Sequence, residues 1–230
     1  MENGFTKESL EGILKELRLE RKIFDSEDDF KFSLSWKIKE TFKDAEVRLE
    51  KKFPSKEEEG KDRNNRVDIY IKTGDIGIGI ELKYYTAYLE FSSEKEGDIT
   101  LSDQSAIDIK CYDAWKDVQR LERFIEDKYI DKGFSIWLTN IKTLTECKRT
   151  KENSAYREFR ICEGTKSPYK MEWREGASSG TTKGRTSPIE LRRQYKIHWE
   201  VYNTIEPNYI KKGEKNSEFK YSIVEVGGSK

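Results

Sequence analysis

Asp68, Glu81 and Lys83 are the residues of this chain whose types and spacing could do chemistry. In RVDIYIK, Val67, Ile69 and Ile71 fall on one face of a strand, with Asp68, Tyr70 and Lys72 on the other. In IGIGIELKY, Ile76, Ile78, Ile80 and Leu82 oppose Gly77, Gly79, Glu81 and Lys83. The link between them holds Gly74-Asp75, suited to a two-residue type II′ turn with glycine first. That turn predicts a hairpin over 66–84 in which Asp68 faces Glu81 and Arg66 faces Lys83. Opposed carboxylates on neighbouring strands, roughly 5 Å apart at Cβ, repel unless a cation lies between them. A hard divalent ion, magnesium or manganese, accepts a pair of carboxylates completed by water and phosphate oxygens. Asp68 and Glu81 are therefore the expected metal ligands. Lys83 is expected to position or help deprotonate an attacking water and to offset phosphate charge, the ingredients of phosphodiester hydrolysis. Gly77 and Gly79 leave the same face open to a helix or a nucleic-acid backbone. The competing reading is a plain amphipathic hairpin with a solvated polar face.

The elements that must hold this hairpin are readable around it. Leu10, Ile13, Leu14 and Leu17 predict a helix over 7–21. Ser26, with Asp29 three residues on, starts a second helix carrying Phe30, Leu34, Ile38 and Phe42. AEVRLEKKF reads as a strand ending at Pro54, and SKEEEGKDRNN as a mobile loop. A polar loop is expected over 90–103, then a long helix over 104–128 with Gln104 on its core side, then the buried strand FSIWLTN. Strands are expected to predominate after residue 148, in YREFRI, YKMEWRE, IELRRQYKIHWEVY and EFKYSIVEV. GASSGTTKG reads as a flexible loop, without the spacing of a Walker phosphate loop.

Composition bounds the rest. With 34% hydrophobic, 38% charged and 12% aromatic residues, a chain of 230 is expected to fold as one unit. It has no apolar stretch near the roughly 18 residues of a membrane helix and no apolar signal core at its start, so a cytoplasmic protein without a membrane partner is expected. Cys111, Cys147 and Cys162 form no metal-type pair and read as inert thiols in a reducing compartment. His198 lies on the polar face of a presumed strand and receives no catalytic role. The net charge is zero, yet residues 1–147 carry surplus acid and 148–198 surplus base. Arg185, Arg192 and Arg193, interleaved with aromatic residues of the basic segment, are the expected nucleic-acid contacts. An ordinary solvated face is the alternative.

Asp68, twelve intervening residues and Glu81-Leu82-Lys83 resemble the motif of the PD-(D/E)xK, or restriction-endonuclease-like, nuclease superfamily, with Val67 where the often absent proline stands. The resemblance implies an α/β fold with an αβββαβ core and a mixed sheet over 26–140. It leaves an accessory helix in 1–25 and a β-rich extension in 141–230. It further implies a Glu from the first core helix, taken as Glu27 with Glu40 as the alternative, and a Gln on the later helix, taken as Gln104. SEDDF, RLE, ELKY, QSA-D and YDxxKDVxRLE are also similar to a prokaryotic group within the superfamily that points to no substrate. The function implied is a magnesium- or manganese-dependent hydrolase cutting nucleic acid, DNA before RNA, with a homodimer as one option for double-strand cutting. A nuclease-fold binding module with little turnover is the alternative.

Overall fold

In the computed structural model, which describes residues 5–54, 65–149 and 153–227, the N-terminal apolar repeats form two helices. Helix α1 (Lys7–Glu20) buries Leu10, Ile13, Leu14 and Leu17, and α2 (Glu27–Thr41) buries Phe30, Leu34 and Ile38. Thr6 and Ser26 cap them, each side-chain oxygen accepting a backbone N–H three residues on, at 3.2 and 3.1 Å. These bonds satisfy donors that a helix start leaves orphaned. Strands β1 (Glu46–Lys52), β2 (Arg66–Thr73) and β3 (Ile76–Tyr85) follow, then β4 (Leu89–Ser93), β5 (Gly97–Leu101), α3 (Ile107–Glu126) and β6 (Lys132–Thr139). The rest comprises α4 (Lys142–Thr145), β7 (Lys170–Met171), α5 (Ser179–Thr182), β8 (Ile189–Glu190), β9 (Glu200–Thr204), β10 (Ile210–Lys212) and β11 (Glu218–Val226), with short 3-10 turns between.

The fold is mixed α/β around a six-stranded sheet in the order β1-β2-β3-β6-β11-β9. The β3–β6 pair is parallel and the other pairs are antiparallel. Alternation along the strands sorts the core into two layers. Ile69, Ile71, Ile80, Leu82 and Ile136 pack with α1 and α2 on one face, while Trp137 and Val224 pack with α3 on the other. Gly79 and Gly133 are register partners on β3 and β6, and Leu121 of α3 fills the slot they leave. A Cβ at Gly133 would lie 3.0 Å from Leu121 Cβ, and one at Gly79 3.3 Å from its Cδ2. This close approach brings the preceding turn of α3, with Asp117 and Arg120, down over Glu81.

The expected hairpin forms between Ile69 and Ile80, with Ile69 opposite Ile80 and Thr73 opposite Ile76, but the ladder stops there: Asp68–Glu81 and Arg66–Lys83 are not register partners, and the Asp68 carboxylate instead accepts the Leu82 N–H. Gly74 has φ +59 and Asp75 is not left-handed, as a type II′ turn requires. Val67 departs from the alternation and sits on the α3 side against Gly79. There the β2–β3 ladder has ended, and Glu50 of the adjoining β1 takes φ +53.

Other expectations are corrected. The polar stretch 90–103 is largely the β4–β5 hairpin, with Phe91, Ile99 and Leu101 buried. The long helix starts at Ile107 rather than 104. Asp103 accepts the Tyr88 N–H at 2.7 Å and Gln104 N–H donates to Thr86 O at 2.9 Å, which ties that stretch down as a loop. After residue 148 irregular structure prevails, with short strands and only β9 and β11 joining the main sheet. Cys147 and Cys162 are joined in a disulfide, their Cα atoms 5.1 Å apart, and only Cys111 is a free, buried thiol. The Glu163 N–H bond to Thr145 O at 2.9 Å aligns the two segments. GASSGTTKG is ordered around α5, and Thr181 donates to Asp108 of α3 at 2.8 Å. His198 lies outside the strands, exposed and 3.1 Å from Glu163. Of the loop SKEEEGKDRNN expected to be mobile, residues 55–64 lie outside the described residues. Among those described, no helix is long and apolar enough to cross a membrane.

Candidate functional site

The site begins where β2 and β3 part. Beyond Ile80 the strand β3 has no antiparallel partner in register, so N–H groups on that edge need other acceptors. Two carboxylates supply them. Leu82 N–H donates to Asp68 Oδ2 at 2.8 Å, and Tyr84 N–H donates to Glu27 Oε2 at 2.8 Å. Ser26 caps α2 and so sets Glu27 at the first helical position, facing the open end of β3. Asp68 and Glu27 are thus fixed by the backbone of the strand that carries Glu81 and Lys83. All four line one pocket of about 340 Å³, with Arg66, Asp113, Lys116, Asp117, Arg120 and Arg185 completing the wall.

Within the pocket α3 pairs every charge that β3 presents. Arg120 holds Glu81 through both carboxylate oxygens, Nε to Oε1 at 2.8 Å and a terminal nitrogen to Oε2 at 2.7 Å. The same terminal nitrogen reaches Asp117 Oδ1 at 2.6 Å. Asp117 Oδ2 stands 2.8 Å from Lys83 Nζ, which also lies 3.9 Å from Glu27. Glu81 is only 2% exposed. Burial, reinforced by Asp117 and Asp68, raises its carboxyl well above the usual range despite Arg120. Burial also raises Glu27, against the pull of Lys83 and the Tyr84 N–H. At Lys83 burial works to lower the ammonium, but Asp117, Glu27 and Asp68 outweigh it and raise it further. These neighbours favour the charged ammonium of Lys83. Its ammonium can hold an anion or donate a proton.

Of the residues singled out in the sequence, Asp68, Glu81, Lys83, Glu27 and Arg185 come together here. Arg185 is carried in by the ordered Gly/Ser/Thr segment. Its backbone carbonyl accepts Trp173 Nε1–H at 2.7 Å, and its guanidinium clasps Asp113 at 2.8 and 2.9 Å. Gln104 does not join them. It is exposed on the loop before α3 and lines a neighbouring hollow with Glu27 and Thr86. Glu40 lies on the last turn of α2, bonded to Trp36 Nε1 at 2.8 Å. Arg192 pairs with Glu126 near the far end of α3, and the exposed Arg193 adjoins it, so neither lines the pocket. Asp113, Lys116, Asp117 and Arg120 stand in the YDxxKDVxRLE segment quoted above but receive no role from the sequence. Their spacing of three, four and seven residues is a polar stripe on one helical face, the available signal.

No family model matches the chain, and neither a curated protein nor a solved structure matches it. Among the described residues, no group of three or more His, Cys, Asp or Glu side chains stands arranged to hold a metal ion. The donor chemistry nonetheless suits a hard cation. Asp68 and Glu81 are oxygen donors on adjoining strands, among the described residues only one Asp68 oxygen accepts a hydrogen bond, and burial first, then neighbouring carboxylates, raises Glu81 and Glu27.

Proposed function

We propose that this chain is a metal-dependent phosphodiesterase of the PD-(D/E)xK type acting on nucleic acid, with DNA as the first substrate to test. The observation that carries this reading is the convergence of Asp68, Glu81, Lys83 and Glu27 on one pocket at the point where β2 and β3 separate. Helix α2, three antiparallel strands, then, after the β4–β5 hairpin of a separate sheet, helix α3 and a strand parallel to β3 support a restriction-endonuclease-like core. Asp68 and Glu81 would hold magnesium or manganese, which supplies phosphate polarisation and a lowered pKa of water. The protonated Lys83 offsets charge on the scissile phosphate and is held in line by Asp117. Arg66, Lys116 and Arg185 give the pocket wall the donors that phosphate oxygens accept.

A second reading has its own support. Both oxygens of Glu81 are taken by Arg120, so the same pocket suits a nucleic-acid-binding module in which the internal ion pair replaces the metal. One experiment separates them. Labelled single- and double-stranded DNA and RNA are incubated with the protein in Mg²⁺ or Mn²⁺, alongside folded Glu81→Ala and Lys83→Ala variants. The nuclease reading expects cleavage that falls by about 10²- to 10³-fold in each variant. Salt-dependent binding without cleavage by the wild type favours the module. Equal cleavage by all three removes the assignment of these residues.

A further inference from the structure

Two arginines of the pocket clasp a carboxylate through two nitrogens: Arg185 holds the part-exposed Asp113, and Arg120 holds the buried Glu81. Lys83 meets its carboxylates through single contacts, whereas Arg120 spans both oxygens of Glu81, the most deeply buried carboxylate of the site. A guanidinium in that bidentate geometry is among the strongest hydrogen-bonding partners a carboxylate finds within a protein. It neutralises the charge that a divalent cation would otherwise neutralise. The fork occupies the inward lone pair of each Glu81 oxygen, so an ion approaching on that side competes with Arg120 for the same acceptors. Arg120 also has somewhere to go, because the nitrogen that touches Glu81 Oε2 already touches Asp117 Oδ1 at 2.6 Å. Asp117 offers its other oxygen to Lys83. Release from Glu81 therefore leaves Arg120 paired, which avoids the large penalty of a buried lone charge.

We propose that Arg120 is the built-in cation of this site, competing with a divalent metal ion for Glu81, so that metal binding requires Arg120 to let go and pivot on Asp117. The inference rests on the metal-dependent reading of the pocket. Arg120 is in this sense a positioning residue that sets how strongly the site takes up metal. Linkage makes the competition reciprocal: whatever tightens Arg120 on Glu81 weakens the ion by the same factor.

The test follows the Arg120 Nε–Hε signal in the side-chain nitrogen–proton spectrum of the full chain, assigned by its loss in Arg120→Lys. Mg²⁺ is titrated at mildly alkaline pH, with calorimetry in parallel. The expected result is displacement or broadening of the Arg120 signal with the calorimetric midpoint, while the Arg192 signal stays in place. Arg120→Gln should bind Mg²⁺ about tenfold more tightly than wild type, and Arg120→Lys to an intermediate degree. Saturable Mg²⁺ binding with an unmoved Arg120 signal overturns the inference and leaves the metal reading intact. So does a folded Arg120→Gln that binds no more tightly. Absence of Mg²⁺ binding in all three proteins overturns both. Displacement of Arg120 by Mg²⁺ without cleavage of any nucleic acid sustains the inference and overturns the nuclease reading.

Discussion

Two arginine–glutamate pairs involve the same helix and share the same chemistry, yet they stand in opposite surroundings. Arg120 grips Glu81 through Nε and a terminal nitrogen with side chains 12% and 2% exposed; Arg192 grips Glu126 in the same bidentate way at 72% and 47%. The first pair belongs to a chain of four charges between strand and helix, Glu81, Arg120, Asp117 and Lys83. The second lies on the surface, where water and salt screen it. Contact geometry alone would rank them equal. Burial separates them, because removing one partner of a buried pair strands an uncompensated charge, whereas removing one partner of an exposed pair returns the other to water.

The largest test of that contrast is Arg120→Ala. It should lower unfolding stability by about 3 to 5 kcal/mol in urea denaturation, since it leaves Glu81 and Asp117 facing each other. A loss no larger than that of a surface substitution would erase the distinction. The packing that creates the buried pair is tested by Gly133→Ala. The added methyl meets Leu121 Cβ at 3.0 Å, and overpacking of this kind costs about 1 to 3 kcal/mol. Moving α3 outward should also weaken the hold of Arg120 on Glu81.

A smaller effect comes from pH. Burial first, then Asp117 and Asp68, raise Glu81 above its ordinary 4.5 against the pull of Arg120. Between those two values the folded protein binds more protons than the unfolded chain, so this group's contribution to stability falls as pH rises through that window. The Tm of wild type relative to Glu81→Gln should therefore drop from acid to alkaline pH. A pH-independent difference would contradict the buried-carboxylate account. The smallest effect belongs to Arg192→Ala, expected to change stability by no more than about 0.5 kcal/mol. Its influence on nucleic-acid affinity, if any, should appear only at low salt.

The hairpin was legible because strict alternation and the Gly74-Asp75 turn agree on one register, and the ladder from Ile69 to Thr73 follows it. What alternation could not reveal is where the ladder stops. That depends on the Asp68 carboxylate taking the Leu82 N–H, a competition between side chain and backbone that residue period does not encode. Gln104 was misplaced because its stretch shares the polarity of a helix start, while its backbone is held by Thr86 across the end of β3. Arg120 received no role for a different reason. Its role arises only when Gly79 and Gly133 admit Leu121 and bring the preceding turn of α3 onto Glu81. EFKYSIVEV is strand β11 as its alternation predicts, whereas YREFRI and most of YKMEWRE and IELRRQYK failed as strand signals because that stretch covers α3 with single aromatic and aliphatic side chains, Phe159, Met171 and Ile189 among them.

The proposed function requires the pocket at the parting of β2 and β3 to take up a divalent cation through Asp68 and Glu81. Calorimetric titration of Mn²⁺ into the wild type and Asp68→Asn tests it directly. Saturable binding by the wild type, weakened by about tenfold or more in the variant, is the predicted result. No saturable binding by the wild type, or equal binding by both, would contradict it.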